Sequence, residues 1–249
     1  GDLDIYITDW SNPDNFRADG SPHLKHGPND LWINELAETG QLNFVHSSEI
    51  GSIYSWGTQA ADFDNNGLLD VHVATENGVR DALYLNSENG FSAEVGLQSG
   101  FSETRTTRGS VTADYNRDGL IDLLVINPWT NGESVLYENQ SAALIDHGFL
   151  VIKLAGDPEL PGRWKSSRDA LGARAYVAAD LDGNGLVDAN ETMLREVVSG
   201  SSNAASTSSL ELEFGIGQAD AATVEVFWPS GRRTMVQVDG NQFLTLQEI

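Results

Sequence analysis

The chain has 249 residues, 37 Asp plus Glu against 14 Lys plus Arg, a formal charge of −23 and no cysteine. This length builds one large or two modest domains with real cores. The acidity argues against nucleic acid as a partner, because phosphate binding needs a basic surface, and the lack of cysteine excludes disulfide frameworks and thiolate metal sites.

The opening residues Gly1, Asp2, Leu3 and Asp4 have the form of Gly67, Leu68, Leu69 and Asp70, the end of an acidic loop, and lead into an alternating strand, Leu3 to Thr8. The residues that would complete that loop are absent. The chain is therefore expected to begin inside a repeat, as a fragment of a longer protein or a product cut at this loop. Asp2 and Asp4 would then be half of a fourth site. The opening has no basic segment followed by an apolar one, so any secretion signal is expected to have been removed or to lie upstream. No apolar run approaches the roughly eighteen residues that span a bilayer. Between Asn12 and Asp30 an insertion rich in Pro, Gly, Asp and Asn reads as a surface loop. Its His23 and His26 lack a third ligand and read as solvent-facing residues rather than a metal site.

Each of three units then shows the same order of β segments. An alternating strand (Leu3 to Thr8, Val71 to Thr75, Leu123 to Asn127) is followed by a second (Leu31 to Asn34, Ala82 to Asn86, Val135 to Asn139) that ends in the phrases LWINE, LYLNS and LYENQ. In the first two units a third segment follows, LNFVHSSEIG and GFSAEVGLQSG, and leads into the strand that enters the next acidic loop, SWGTQAADF or RGSVTADY. Four short strands in a unit of roughly fifty residues is the pattern of a propeller blade.

The acidic loops carry the chemistry. Asp62 to Asp70 reads DFDNNGLLD, and the pattern recurs as DYNRDGLID at Asp114 to Asp122 and DLDGNGLVD at Asp180 to Asp188. Side-chain oxygens stand at positions one, three, five and nine: Asp62, Asp64, Asn66 and Asp70; Asp114, Asn116, Asp118 and Asp122; Asp180, Asp182, Asn184 and Asp188. A glycine follows position five each time, and position seven offers a main-chain carbonyl from Leu68, Leu120 or Leu186. Calcium takes about six to eight such hard oxygens. Polar hairpin turns are the plainer reading of one Asn-Gly or Asp-Gly copy, but three copies in one register point to three calcium sites. The third continues to Glu191 at position twelve, completing an EF-hand loop pattern. Ala173 to Ala179 before it reads as a strand, so an EF-hand-like loop set into a β-hairpin is expected.

From Phe149 the character changes. FLVIKLAG is an apolar strand, and after a polar, basic link the segments ALGARAYV, REVVSG, SLELEFGIG, ATVEVFWPSGRR and QFLTLQEI read as five further β segments.

The repeating units resemble FG-GAP repeats of the VCBS type, which build calcium-decorated β-propellers in extracellular proteins. The second half resembles the ASPIC/UnbV domain of the cartilage acidic protein group, through Leu171 to Arg174, Phe214 to Gly217, Trp228 to Gly231 and Asn241 to Leu244. The resemblance implies an all-β chain. Residues 1–148 would form a partial β-propeller of two complete blades and one incomplete, and residues 149–249 a β-sandwich-like domain carrying the third calcium loop. Such a set cannot close a ring of about four to eight blades. An upstream segment or another chain is expected to complete it.

No GxSxG, HExxH or phosphate-binding glycine loop is present. Gly215 and Gly217 lack the third glycine and βαβ context of a dinucleotide site, and read as a turn. Arg105 and Arg108 read as surface partners of carboxylates, and Tyr54 and Trp56 as core. Trp164, among Arg163, Lys165 and Arg168, stands in the one basic patch, where it could dock the domains or a partner. Asn139 and Asn190 open glycosylation sequons by pattern only. The expected function is a secreted, calcium-stabilised interaction or adhesion module, extracellular or at the cell surface (periplasmic as an option), with a protein or glycan ligand. The alternatives are a polysaccharide lyase or hydrolase using a propeller funnel, or a scaffold subunit of a larger assembly.

Overall fold

A computed structural model describes residues 4–8, 29–47, 50, 54–76, 78–101, 104, 106–127, 133–141, 146–162, 164–200 and 209–249. His23, His26, Arg105, Arg163 and the half-site residue Asp2 lie outside them.

The first half forms three small antiparallel sheets. Strands β1 (Ile5–Ile7), β2 (Asp30–Asn34) and β3 (Phe44–Ser47) make the first, with a one-turn helix, α1 (Leu36–Thr39), between β2 and β3. Strands β4 (Ser55–Ala61), β5 (Asp70–Thr75) and β6 (Ala82–Tyr84) make the second, extended by the short hairpin β7 (Asn86–Ser87) and β8 (Gly90–Phe91). Strands β9 (Gly109–Ala113), β10 (Asp122–Ile126) and β11 (Val135–Tyr137) make the third.

These sheets stack as blades because both faces of the middle one are apolar. On one side Val71, Val73, Ala82 and Tyr84 meet Leu31 and, less deeply, Tyr6 and Ile33 of the first sheet. On the other, Ala61, Phe63, Leu83 and Phe101 meet Ile121, Leu123 and Val125 of the third. Every residue of β5 is consequently buried, the polar His72 included. His72 is accommodated by a 3.0 Å contact from its Nδ1 to Ser110 Oγ on β9 and by an edge-on stack against Phe101.

The third segment of a unit is the four-residue strand β3 in the first blade, and in the second it opens with the two-residue β8. In the second, residues 92–95 run along β6, with Ser92 N–H donating to Leu85 O at 2.7 Å and Val95 N–H to Leu83 O at 2.9 Å. The Glu94 carboxylate meanwhile accepts the Leu83 N–H at 3.4 Å, standing in for a carbonyl of the ladder.

The second half is a sandwich of two sheets. Strand β12 (Gly148–Ala155) lies between β15 (Leu212–Gly217), antiparallel, and β18 (Gln242–Gln247), parallel. The facing sheet runs β14 (Thr192–Glu196), β13 (Arg174–Ala179), β16 (Ala221–Phe227), β17 (Arg233–Asp239). Leu150, Ile152, Phe214 and Ile216 from one sheet and Val177, Val224 and Val226 from the other fill the space between them. Strand β17 is absent from the sequence reading. It is the outer strand of its sheet and none of its residues is fully buried, although Val236 and Val238 of its alternating RTMVQVD pattern pack on the sandwich core. The chain is thus all-β, a partial propeller followed by a sandwich.

Candidate metal centre

The acidic loops sit where the blade strands turn. The first joins β4 to β5 and the second β9 to β10, while the third joins β13 to β14 as the expected loop in a hairpin. All three fold by one hydrogen-bond template. In the first, Asp62 accepts the Asn66 N–H at 3.1 Å and the Gly67 N–H at 2.8 Å, Asp64 accepts the Asn66 N–H at 3.2 Å, and Asn66 Oδ1 accepts the Leu68 N–H at 2.7 Å. In the second, Asp114 accepts from Asp118 and Gly119 at 3.1 and 2.9 Å, Asn116 from Asp118 at 3.1 Å, and Asp118 from Leu120 at 2.9 Å. In the third, Asp180 accepts from Asn184 and Gly185 at 2.9 and 2.7 Å, Asp182 from Asn184 at 3.0 Å, and Asn184 from Leu186 at 2.9 Å.

The last carboxylate differs between loops. Asp70 takes the Phe63 N–H at 2.8 Å and, from the start of β7, the Asn86 N–H at 2.7 Å. Asp122 repeats this with Tyr115 at 3.1 Å and Asn139 at 2.8 Å. In the third loop the equivalent N–H, from Leu181, goes to Glu191 at 2.8 Å, and the other Glu191 oxygen takes the Asp188 N–H at 2.6 Å. Glu191 therefore stands where Asp70 and Asp122 stand, while the exposed Asp188 caps the short turn Ala189–Glu191.

Two left-handed residues per loop make the template possible. Position six is glycine, at φ 92°, 89° and 88° for Gly67, Gly119 and Gly185, where a Cβ would be opposed. Position four is also left-handed, at 57° for Asn65, 60° for Arg117 and 72° for Gly183. The sequence gives no sign of the second requirement, because three different residues meet it.

This geometry gathers oxygen. One carboxylate oxygen from each of Asp62, Asp64 and Asp70 lies within 4.8 Å of the others, and the same holds for Asp180, Asp182 and Glu191. In the second loop position three is an amide, and Asn116 Nδ2 donates to Asp118 Oδ2 at 2.9 Å. Asp62 and Asp70 are 1% and 0% exposed. Burial, aided by repulsion among the three aspartates and opposed by the N–H bonds, lifts the Asp62 carboxyl to about 7 and that of Asp70 to about 8. Burial also raises Asp64 and Asp122. An all-oxygen set of clustered, buried carboxylates suits a hard divalent cation, whose charge would offset both burial and repulsion.

The first loop also meets the C-terminal sandwich. Gly217 N–H donates to Asn65 O at 2.9 Å, and Gln218 N–H to Leu181 O in the third loop at 2.9 Å. Asn65 Nδ2 donates to Gly119 O in the second loop at 2.9 Å, and His147 Nδ1 lies 2.8 Å from Asp64 O. Gly215, expected in a turn, lies within β15 instead, and its backbone runs against Asp62 and Asn65 with no room for a side chain. Behind this contact the half-buried Arg195 of β14 lies between Asp62 and Glu213. Burial pushes the Arg195 pKa down and carries that of Glu213 up to about 7, while a Glu213 oxygen accepts the Asp114 N–H at 3.1 Å. Arg195 and Glu213 belong to no sequence motif, so their placement emerges only when the domains dock.

The remaining sequence candidates are structural or peripheral. Arg108 pairs with Glu76 at 3.1 Å and covers the Trp56 ring at 3.9 Å. Asn139 Nδ2 donates to Phe63 O and Ile121 O, tying the second blade to the third. Trp164 is 66% exposed beside Lys165, whose ammonium donates to Pro158 O.

Comparison with known proteins follows the same division. Residues 62–125 match the FG-GAP-like repeat family and residues 162–249 the family described as ASPIC and UnbV. Cartilage acidic protein 1 of Mus musculus is 25% identical over 257 aligned residues, which cover 100% of this chain and 35% of that protein. The chain thus spans about a third of the length of this relative. The stacked small sheets with their acidic loops contain the segment similar to FG-GAP-like repeats, and the separate sandwich contains the segment similar to ASPIC and UnbV.

Proposed function

We propose that the protein is a calcium-stabilised interaction module that works outside the cell or at its surface and binds a protein or glycan partner. The observation that carries the calcium reading is the convergence of three carboxylates in the first and in the third of three loops that share one hydrogen-bond template. Asp62, Asp64, Asn66 and Asp70 would hold one ion, Asp114, Asn116, Asp118 and Asp122 a second, and Asp180, Asp182, Asn184 and Glu191 a third. Asp188 would assist the third from the rim. The carbonyls of Leu68, Leu120 and Leu186 would add main-chain ligands.

Calcium supplies charge neutralisation and a fixed coordination shell there, not chemistry on a substrate. Each blade loop ties its flanking strands to the start of the next segment through Asn86 or Asn139. An ion in it would therefore brace a blade at three points. Sites with affinities of about 10⁻⁴ to 10⁻³ M would be filled in extracellular calcium. Among the described residues no helix is long and apolar enough to cross a membrane. The test is calcium titration of ion-stripped protein by calorimetry, with thermal melts in calcium and in chelator. Binding of about three ions and a large rise in melting temperature are expected. No binding heat together with an unchanged melt would sink the reading.

A further inference from the structure

Resting on the calcium reading above, we propose that the loops at 62–70 and 180–191 bind calcium as a coupled pair, joined through the end of β15. The two loops belong to different halves of the chain, yet they touch. Gly217 and Gln218 present consecutive N–H groups, one to Asn65 O at position four of the first loop and the other to Leu181 O at position two of the third, both at 2.9 Å. Leu181 also packs over Gly67, so that a Cβ on Gly67 would lie 2.5 Å from Leu181 Cδ1. A Cβ on Gly217 would lie 2.3 Å from Leu181 O. No slack separates the backbones at this point.

The N–H of Leu181 donates to Glu191, and the N–H groups of Asn66 and Gly67, next to Asn65, donate to Asp62. Each contact residue is thus one step from a carboxylate of its own loop. An ion that fixes those carboxylates in one loop also fixes the backbone on which the other loop rests. The ordering cost is then met once and shared, which is positive cooperativity without any large movement. Linkage requires the effect to be mutual and of equal size in both directions.

Calcium titration followed by the amide resonances of Gly67, Gly119 and Gly185 reads the loops separately, since each of these N–H groups donates to its loop's first aspartate. Glu191→Gln, or the exposed Asp182→Asn should the first variant fold poorly, weakens the third loop without touching the first. The expected result is a rise of at least about fivefold in the calcium midpoint at Gly67. Asp64→Asn should in turn raise the midpoint at Gly185, and Leu181→Ala, which keeps every carboxylate, should reduce the mutual effect. Midpoints unchanged within about twofold, with the amides of the intact loops still titrating, would overturn the coupling and leave the calcium reading standing. Amides that do not respond to calcium in the unsubstituted protein would overturn both.

Discussion

Replacing Gly215 by alanine tests whether the sandwich is seated on the first acidic loop. The added Cβ would lie 2.2 Å from Asp62 Oδ2, 2.3 Å from Asn65 Cα and 2.4 Å from Asn65 C. Two of these three atoms are main chain and cannot yield by a rotamer change. Overpacking costs about 1–3 kcal/mol, and overlap against backbone places this substitution near 3. At about 2–4 °C per kcal/mol for a chain of this size, the melting temperature should fall by about 6–12 °C. The blades and the sandwich keep their own cores, so the strain should be relieved at the junction and the melt should lose its single-step form. Gly200→Ala is the control, because a Cβ there meets nothing within 4 Å, and it should stay within about 0.5 kcal/mol. Melts by circular dichroism in calcium-containing buffer give the answer. A G215A protein that melts within about 2 °C of the unsubstituted one would show that the close approach of β15 to the loop is wrong.

Two further outcomes follow from burial. In ion-free protein the carboxyls of Asp62 and Asp70 sit near 7 and 8, against about 3.9 in the unfolded chain. The fold then holds protons that the unfolded chain has released. Stability should therefore fall as pH rises from about 5 to 8, and calcium should abolish the fall; denaturant midpoints that rise over this range without calcium would contradict it. Phe214, 1% exposed in the sandwich core, should cost about 3–5 kcal/mol when cut to alanine, measured by urea unfolding, and a loss under 1.5 would mean that the two sheets pack differently.

Much of the architecture was legible because it repeats. The apolar strands VHVAT and LLVI, the phrases LWINE, LYLNS and LYENQ, and three acidic loops in one register all report local requirements, and local requirements leave their mark on neighbouring residues. Strand β17 escaped although Val236 and Val238 alternate onto the core, because an outer, half-buried strand of seven residues that directly follows a turn marks itself weakly. Gly215 was misplaced for a different reason, since a glycine needed for close approach looks the same in sequence as one needed for a turn.

The sequence by itself determined which residues can hold a cation: the spacing of Asp62, Asp64 and Asp70, and its echoes, is a property of nine consecutive residues. Only the tertiary structure decided that Glu191 takes the place filled by Asp70 and Asp122, that Arg195 and Glu213 lie half-buried against the first two loops, and that Asn65 and Leu181 are bridged by Gly217 and Gln218. The first is settled inside the third loop, by which carboxylate reaches the Leu181 N–H; the other two depend on the two halves of the chain meeting, as Asn65 does with Gly217, and a contact of that range leaves no periodicity for the sequence to display.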